Sequence, residues 1–177
     1  MPSVKAAWGA DWKKASLDWY DRTGRLSFYG DHFSYRQNFM DLDPTYKDRW
    51  GDPLIRLTLD WTDNERRMAA WYTTKAVGIA KAMGAREITP FPGLRRYDAT
   101  RYQSTHIQGG AIMGASPGSS TVNTYMQHWQ VPNLFVIGAS GWPQNPSVNP
   151  TLTALALSYR TADAIVARYW KRPGSLA

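Results

Sequence analysis

Apolar positions along this chain change period several times, and each change marks an element. Trp8, Trp12, Ala15 and Trp19 recur at helical spacing and predict a helix over about residues 9–21, ended by Thr23-Gly24. Residues 26–33 are rich in β-formers and predict a strand. Residues 38–43 predict a second, short strand stopped by Pro44. A third starts at Asp52-Pro53, where Ile55, Leu57, Leu59 and Trp61 alternate with Arg56, Thr58 and Asp60 at the period of a half-buried strand. Thr62-Asp63-Asn64-Glu65 has the form of a capping box. It opens a helix with Met68, Tyr72, Ala76, Ile79 and Met83 on one face and Gly84 just past the end. The class this predicts is α+β, an antiparallel sheet with packed helices.

Signals weaken over residues 85–103. The texture then turns small, polar and Gly-rich in Ser104-Thr105-His106-Ile107-Gln108-Gly109-Gly110-Ala111-Ile112-Met113-Gly114. Glycines there let backbone approach a ligand or another backbone closely. Leu134-Phe135-Val136-Ile137 is fully apolar and predicts a short buried strand, broken by Gly138-Ala139-Ser140-Gly141. A loop then delivers the chain to Ser147-Val148-Asn149-Pro150-Thr151-Leu152-Thr153. Asn149 suits an N-cap and Pro150 the first helical position. Leu152, Leu155, Ala156, Tyr159, Val166 and Tyr169 follow at helical spacing and predict a long, buried helix. A helix start of this kind suits an anion or an electron-rich ring edge; it is equally the cap of a core helix with no ligand.

Composition adds limits. At 177 residues, the length is that of one domain, at most one and a half. A hydrophobic content of 43% argues against disorder, and nine Trp and ten Tyr can build a core. The absence of Cys excludes a disulfide framework, a thiolate metal site and a Cys nucleophile, without choosing a compartment. The net charge of +7 comes from scattered pairs such as Lys13-Lys14, Arg66-Arg67, Arg95-Arg96 and Lys171-Arg172. Scatter of this kind sets nucleic acid aside. It suits an anionic membrane surface or an acidic electron-transfer partner. The chain shows no signal-peptide core and no segment of transmembrane length.

Candidate chemistry narrows quickly. The run 138–141 lacks the spacing of a nucleophile elbow. Asp41, Asp43 and Asp48 lack the Glu and Gly of a calcium loop. The three His are far apart and show no metal-ligand spacing, so no metal is expected. No Gly-x-Gly-x-x-Gly occurs. What remains is His106 and Asn149, each in a polar stretch beside apolar elements. Alone, His106 reads as a structural hydrogen-bonder or as a general base.

Three blocks occur in order: residues 105–114, then Pro132-Asn133-Leu134-Phe135-Val136-Ile137-Gly138-Ala139-Ser140, then Asn149-Pro150-Thr151-Leu152-Thr153. With them the chain resembles the C-terminal part of a glucose–methanol–choline (GMC) flavin oxidoreductase. Asp41-Leu42-Asp43-Pro44-Thr45-Tyr46, Gly51-Asp52-Pro53-Leu54 and Asp63-Asn64-Glu65-Arg66 resemble the bacterial branch of gluconate 2-dehydrogenase and related sugar and polyol dehydrogenases. The likeness covers about residues 8–170.

The resemblance implies FAD as cofactor and hydride transfer from the CH–OH group of a sugar, polyol or sugar acid. His106 would be the catalytic base and Asn149 its partner on the substrate oxygen. Gly138 and Ala139 would lie along the cofactor, with Asn149, Pro150, Thr151 and Leu152 at the pyrimidine edge of the ring. Gly138 stands where many members carry an acidic residue. Residues 1–103 would form the substrate-domain sheet and helices, and residues 104–177 the catalytic and flavin-contacting segment. The final helix would dock on an FAD-binding domain that this chain lacks, so another chain or segment is expected to supply it. Without that, the chain is expected to be inactive. A cytochrome subunit would be a further partner, and a periplasmic or membrane-associated location would follow. The alternative is a truncated, non-catalytic domain that only binds a partner chain; a sugar-binding module using the many Trp is a third reading.

Overall fold

The computed structural model of the chain describes residues 8–101, 104 and 106–177. It shows a mixed helical and antiparallel-strand architecture in two compact units, Met1–Tyr29 with Thr62–Arg95, and Gly30–Trp61 with Arg96–Ala177.

The first unit holds two helices. α1, Gly9–Trp19, is the helix its Trp spacing predicts; Thr23 Oγ1 then donates to the Trp19 carbonyl at 3.0 Å. α2, Asp63–Ala82, begins with the expected capping box: Thr62 N donates to Glu65 Oε2 at 2.9 Å, and Thr62 Oγ1 accepts from Asn64 N at 3.3 Å. These contacts satisfy backbone donors that the first turn leaves open. Gly84, at φ +78, closes the helix, its N–H donating to Lys81 O at 3.0 Å. Phe28 stacks on Tyr72 of α2 with centroids 5.1 Å apart, and Arg66 donates to the Leu94 carbonyl at 2.9 Å. Residues 26–31 form no strand. Only His32–Phe33 pairs, as β1, since among the described residues no partner strand reaches the residues before it.

The second unit carries the strands. β2, Phe39–Lys47, pairs antiparallel with β3, Pro53–Thr58, while β1 pairs with β4, Gln144–Asn145. Pro44 does not stop β2. It falls where the register shifts between Leu42 and Lys47, so no ladder donor is required of it. The Asp43 carboxylate accepts the next two free N–H groups, from Thr45 at 2.8 Å and Tyr46 at 2.9 Å. The alternation in β3 is real, but it does not half-bury the strand: Ile55 is 73% exposed and Leu57 70%. A two-stranded ribbon leaves both faces open unless another layer covers one.

The core of this unit lies around Val122, Met126, Trp142, Ala164 and Leu176. Two buried amides organise it. Gln127 Nε2 donates to Pro132 O at 2.7 Å and Gly174 O at 2.8 Å; its Oε1 accepts from Leu176 N at 2.7 Å and from Asn123 Nδ2 at 3.1 Å. The C-terminal residues are thereby tied to the centre.

α3, Thr151–Ala164, continues into a π-helical turn at Ile165–Tyr169, where Trp170 N donates to Ile165 O at 2.9 Å. The expected buried face of this helix is corrected. Leu152, Leu155, Tyr159 and Val166 are exposed, and the inward face is Leu157, Thr161 and Ala164. Thr161 Oγ1 donates to Tyr125 O at 3.2 Å. Residues 134–137 are not a buried strand either. Phe135 makes one isolated bridge to Gln127, its ring meets Tyr169 edge-on at 5.4 Å, and Leu134 and Ile137 are exposed. Residues 126–128 flank this run with two backbone bonds, Val136 N to Met126 O at 2.8 Å and His128 N to Leu134 O at 2.9 Å, too short a pairing to make a strand.

Among the described residues, no helix is long and apolar enough to cross a membrane.

Candidate active site

The Gly-rich segment that carries His106 is laced to the turn after residue 138. Gly109 N donates to Ala139 O at 3.3 Å, Ala111 N to Ser140 O at 2.8 Å and Met113 N to Gly141 O at 2.7 Å. Two segments about thirty residues apart in sequence thus run side by side. Small residues make this possible. A Cβ on Gly109 would lie 2.9 Å from Ser34 Oγ and 3.3 Å from Trp142 O, and its φ of +82 is one that L side chains rarely adopt. The turn itself is a short 3₁₀ helix, Ala139–Gly141, entered through Gly138 at φ +118. Nothing lies within 4 Å of a Cβ built on Gly138, so that backbone is open on one side.

His106 is half-buried and follows Thr105, which lies outside the described residues. Its backbone N–H donates to Ser104 Oγ at 3.0 Å, and its carbonyl accepts from Asn145 Nδ2 at 2.6 Å. Asn145 Oδ1 in turn accepts from Gln108 Nε2 at 2.8 Å. Asn145 sits in β4 opposite His32, whose ring packs edge-on against Trp61 at 5.7 Å. Beyond β4 the loop is tied again where Ser147 N donates to Asp31 Oδ1 at 2.6 Å. Two residues later comes Asn149, which is exposed.

The start of α3 differs by one residue from the expected cap. Pro150 is the N-cap, in helical backbone conformation, and Ala154 N donates to its carbonyl at 2.9 Å. No side chain caps this end, so Asn149 is not the N-cap. Pro150 has only a carbonyl to offer there, and its ring-fixed φ already suits the helix. Thr151 is the first helical residue, and Thr151 and Leu152 are exposed. The amide of Asn149 therefore has no capping duty.

The structure bonds residues 109–113 to Ala139–Gly141, directly after Gly138, and ties His106 through Asn145 to the loop that ends at Asn149. Asn145 and Gln108 were not singled out from sequence. Gln108 lies inside the first of the three blocks and Asn145 in the loop between the second and third, and nothing in periodicity separates a bridging amide from a solvated one. Two polar atoms here, Gln108 Oε1 and Trp142 Nε1, are buried with no hydrogen-bond partner among the described residues. Such atoms are uncommon in native proteins. Among the described residues no three His, Asp or Glu side chains converge as a metal site would require.

Comparison with known proteins places these features in context. Residues 34–158 match a family model described as GMC oxidoreductase. Over 99% of its length the chain is 47% identical to a gluconate 2-dehydrogenase flavoprotein of Pantoea cypripedii, covering 29% of that relative. It is 30% identical, over 93% of its length, to 29% of a 2-methyl-1,2-propanediol dehydrogenase of Mycolicibacterium austroafricanum. It is 36% identical, over 73% of its length, to 22% of a fructose dehydrogenase large subunit of Gluconobacter japonicus. The chain thus spans less than a third of the length of these curated relatives.

Proposed function

This chain belongs to the GMC oxidoreductase family, and we propose that it is the catalytic C-terminal portion of an FAD-dependent dehydrogenase acting on the CH–OH group of a sugar, polyol or sugar acid. In this reading residues 1–103 serve the substrate side, and residues 104–177 carry the chemistry and meet the flavin. The observation that supports it most is the seam itself: the His106 segment bonded to the 139–141 turn and to Asn145, on the loop leading to Asn149.

The residues present fit one edge of FAD. Gly138 offers open backbone, Ala139 is small, and the exposed start of α3 holds N–H groups at Thr151, Leu152 and Thr153 without intrahelical acceptors. Pro150 pre-shapes that start, and a helix N-terminus favours negative charge at the ring edge beside it. Bound FAD supplies the hydride acceptor. The side chains do the rest. An imidazole nitrogen of His106 takes the substrate hydroxyl proton as the alcohol carbon becomes a carbonyl. The Asn149 amide donates to the same oxygen and holds it against the base. The dinucleotide-binding part would come from another segment or chain. A cytochrome subunit as electron acceptor and a periplasmic or membrane-associated setting complete the proposal.

The test joins this chain to the flavin-binding segment of its 47% identical relative and assays gluconate, fructose and a vicinal diol with a dye acceptor. We expect turnover on at least one. His106→Ala should lower kcat by about 10²–10⁴-fold with flavin retained, and Asn149→Ala should weaken turnover with the fold intact. Full activity in His106→Ala would overturn the assignment. A second reading, a non-catalytic domain that binds a partner chain, draws on the exposed stripe of α3. It gains if the joined protein binds flavin and oxidises nothing.

A further inference from the structure

We propose that Asn145 is the positioning residue that sets His106 relative to the loop bearing Asn149. The inference rests on the reading of His106 as proton acceptor and goes beyond it by naming what holds that residue in place.

The side chain of Asn145 is the bridge between the two segments. Its Nδ2 donates to the backbone carbonyl of His106 at 2.6 Å, and its Oδ1 accepts from Gln108 Nε2 at 2.8 Å. One amide therefore grips the His-Ile-Gln tripeptide at both ends. Ile107, between the two grips, is 82% exposed, so packing of its own side chain does not fix the tripeptide. The polarity of the clamp has a single solution. A peptide carbonyl can only accept, so Nδ2 must face His106, Oδ1 must face Gln108, and Gln108 must present Nε2. Turned round, Asn145 would set oxygen against oxygen.

The other end of the clamp is equally well held. Asn145 lies in β4, in register with His32, and the loop after it is tied again through Ser147 N to Asp31 Oδ1 at 2.6 Å. Asn149 lies four residues after Asn145. Loss of the amide would leave residues 109–113 bonded to the 139–141 turn and the Asn149 loop tied at Asp31, but would remove the direct tie from the His106 carbonyl to that loop. A small displacement of a proton acceptor from its substrate is costly in rate, because the reacting atoms must start about 3 Å apart.

Asn145→Asp is nearly isosteric. It keeps the acceptor towards Gln108 and removes the donor to His106. Gln108→Glu does the reverse, sparing the bond to His106. In the flavin-loaded enzyme that contains the full chain, with whichever of gluconate, fructose or the vicinal diol it turns over, we expect Asn145→Asp and Asn145→Ala to lower kcat by about tenfold or more. KM, flavin content and melting temperature should change little, and Gln108→Glu should lose distinctly less. On the chain with ¹³C-labelled histidine, Asn145→Asp should move the ring signals of His106 and leave those of His128 in place.

Equal turnover in Asn145→Asp and wild type would overturn the inference while leaving His106 as base. Loss of activity only in step with loss of flavin or of melting temperature would overturn it too, since that is the mark of a structural role. Unmoved His106 signals would refute the clamp directly. A wild-type enzyme that binds flavin without turnover would instead refute the underlying reading, and the histidine spectra would separate that failure from this one.

Discussion

Gln127 shows what a single residue can decide. It is 1% exposed and uses both donors and its acceptor oxygen on fixed partners, at Pro132, Gly174, Leu176 and Asn123. Gln127→Leu keeps the bulk and orphans those groups. Each buried orphan costs about 1–3 kcal/mol, so urea unfolding should show a loss of at least that size, and the C-terminal residues should become sensitive to carboxypeptidase. None of this was legible beforehand. In sequence Gln127 is one polar residue between Met126 and His128, and periodicity treats it as solvated. The break at residues 138–141 was legible, because Gly-Ala-Ser-Gly ends an apolar run, and a lone His in Gly-rich texture is what makes His106 a candidate. The one-residue shift of the helix start from Asn149 to Pro150 was not, since Asn149 carries an oxygen able to cap and nothing in the pattern shows that the helix starts without a side-chain cap.

At the scale of elements, the β2–β3 hairpin carries its own pH dependence. The Arg56 guanidinium, donating to Asp41 across the strand pair, holds that carboxyl below its usual 3.8. The N–H of Tyr46, then that of Thr45, hold Asp43 below it as well. Groups depressed in the folded state stabilise fully above the unfolded pKa, and the contribution disappears as pH falls through the folded one. We therefore expect the hairpin to loosen below about pH 4, the ordinary carboxylate range. Amide shifts of β2 and β3 should follow this in an NMR titration. The double variant Asp41→Asn, Asp43→Asn should flatten the response. The capping box of α2 and the spacing of α1 were readable because they are local. The strand at 26–33, the stop at Pro44 and the strand at 134–137 failed for one shared reason: a strand exists only where a partner ladder reaches it, and that is decided elsewhere in the chain.

At the scale of the whole molecule, the misassigned face of α3 is informative. Its apolar stripe was read as buried, and the stripe is real: Leu152 is 82% exposed, Tyr159 72% and Leu155 50%. Sequence pattern reports that a surface is made for burial; it does not report which segment covers it. The chain matches only 29% of its 47% identical relative, so most of that relative lies outside the match. Alone, the chain should bind a hydrophobic dye and self-associate, as large exposed apolar patches do. Leu155→Lys with Tyr159→Lys should reduce the apparent mass in light scattering. The same pair should abolish assembly with a flavin-binding segment, which separates a docking face from a merely sticky one.

The π turn at Ile165–Tyr169 makes the end of this chain a counting device. One extra residue in that turn rotates everything after it by about 100° relative to an uninterrupted α-helix. Gly174 and Leu176 reach Gln127 with that rotation included. Removing any one residue from the turn would shorten the chain trivially and re-aim its last eight residues entirely. An in-frame single deletion there should resemble an amputation of the tail, whereas a substitution at the exposed Ala167 of the turn should pass almost unnoticed.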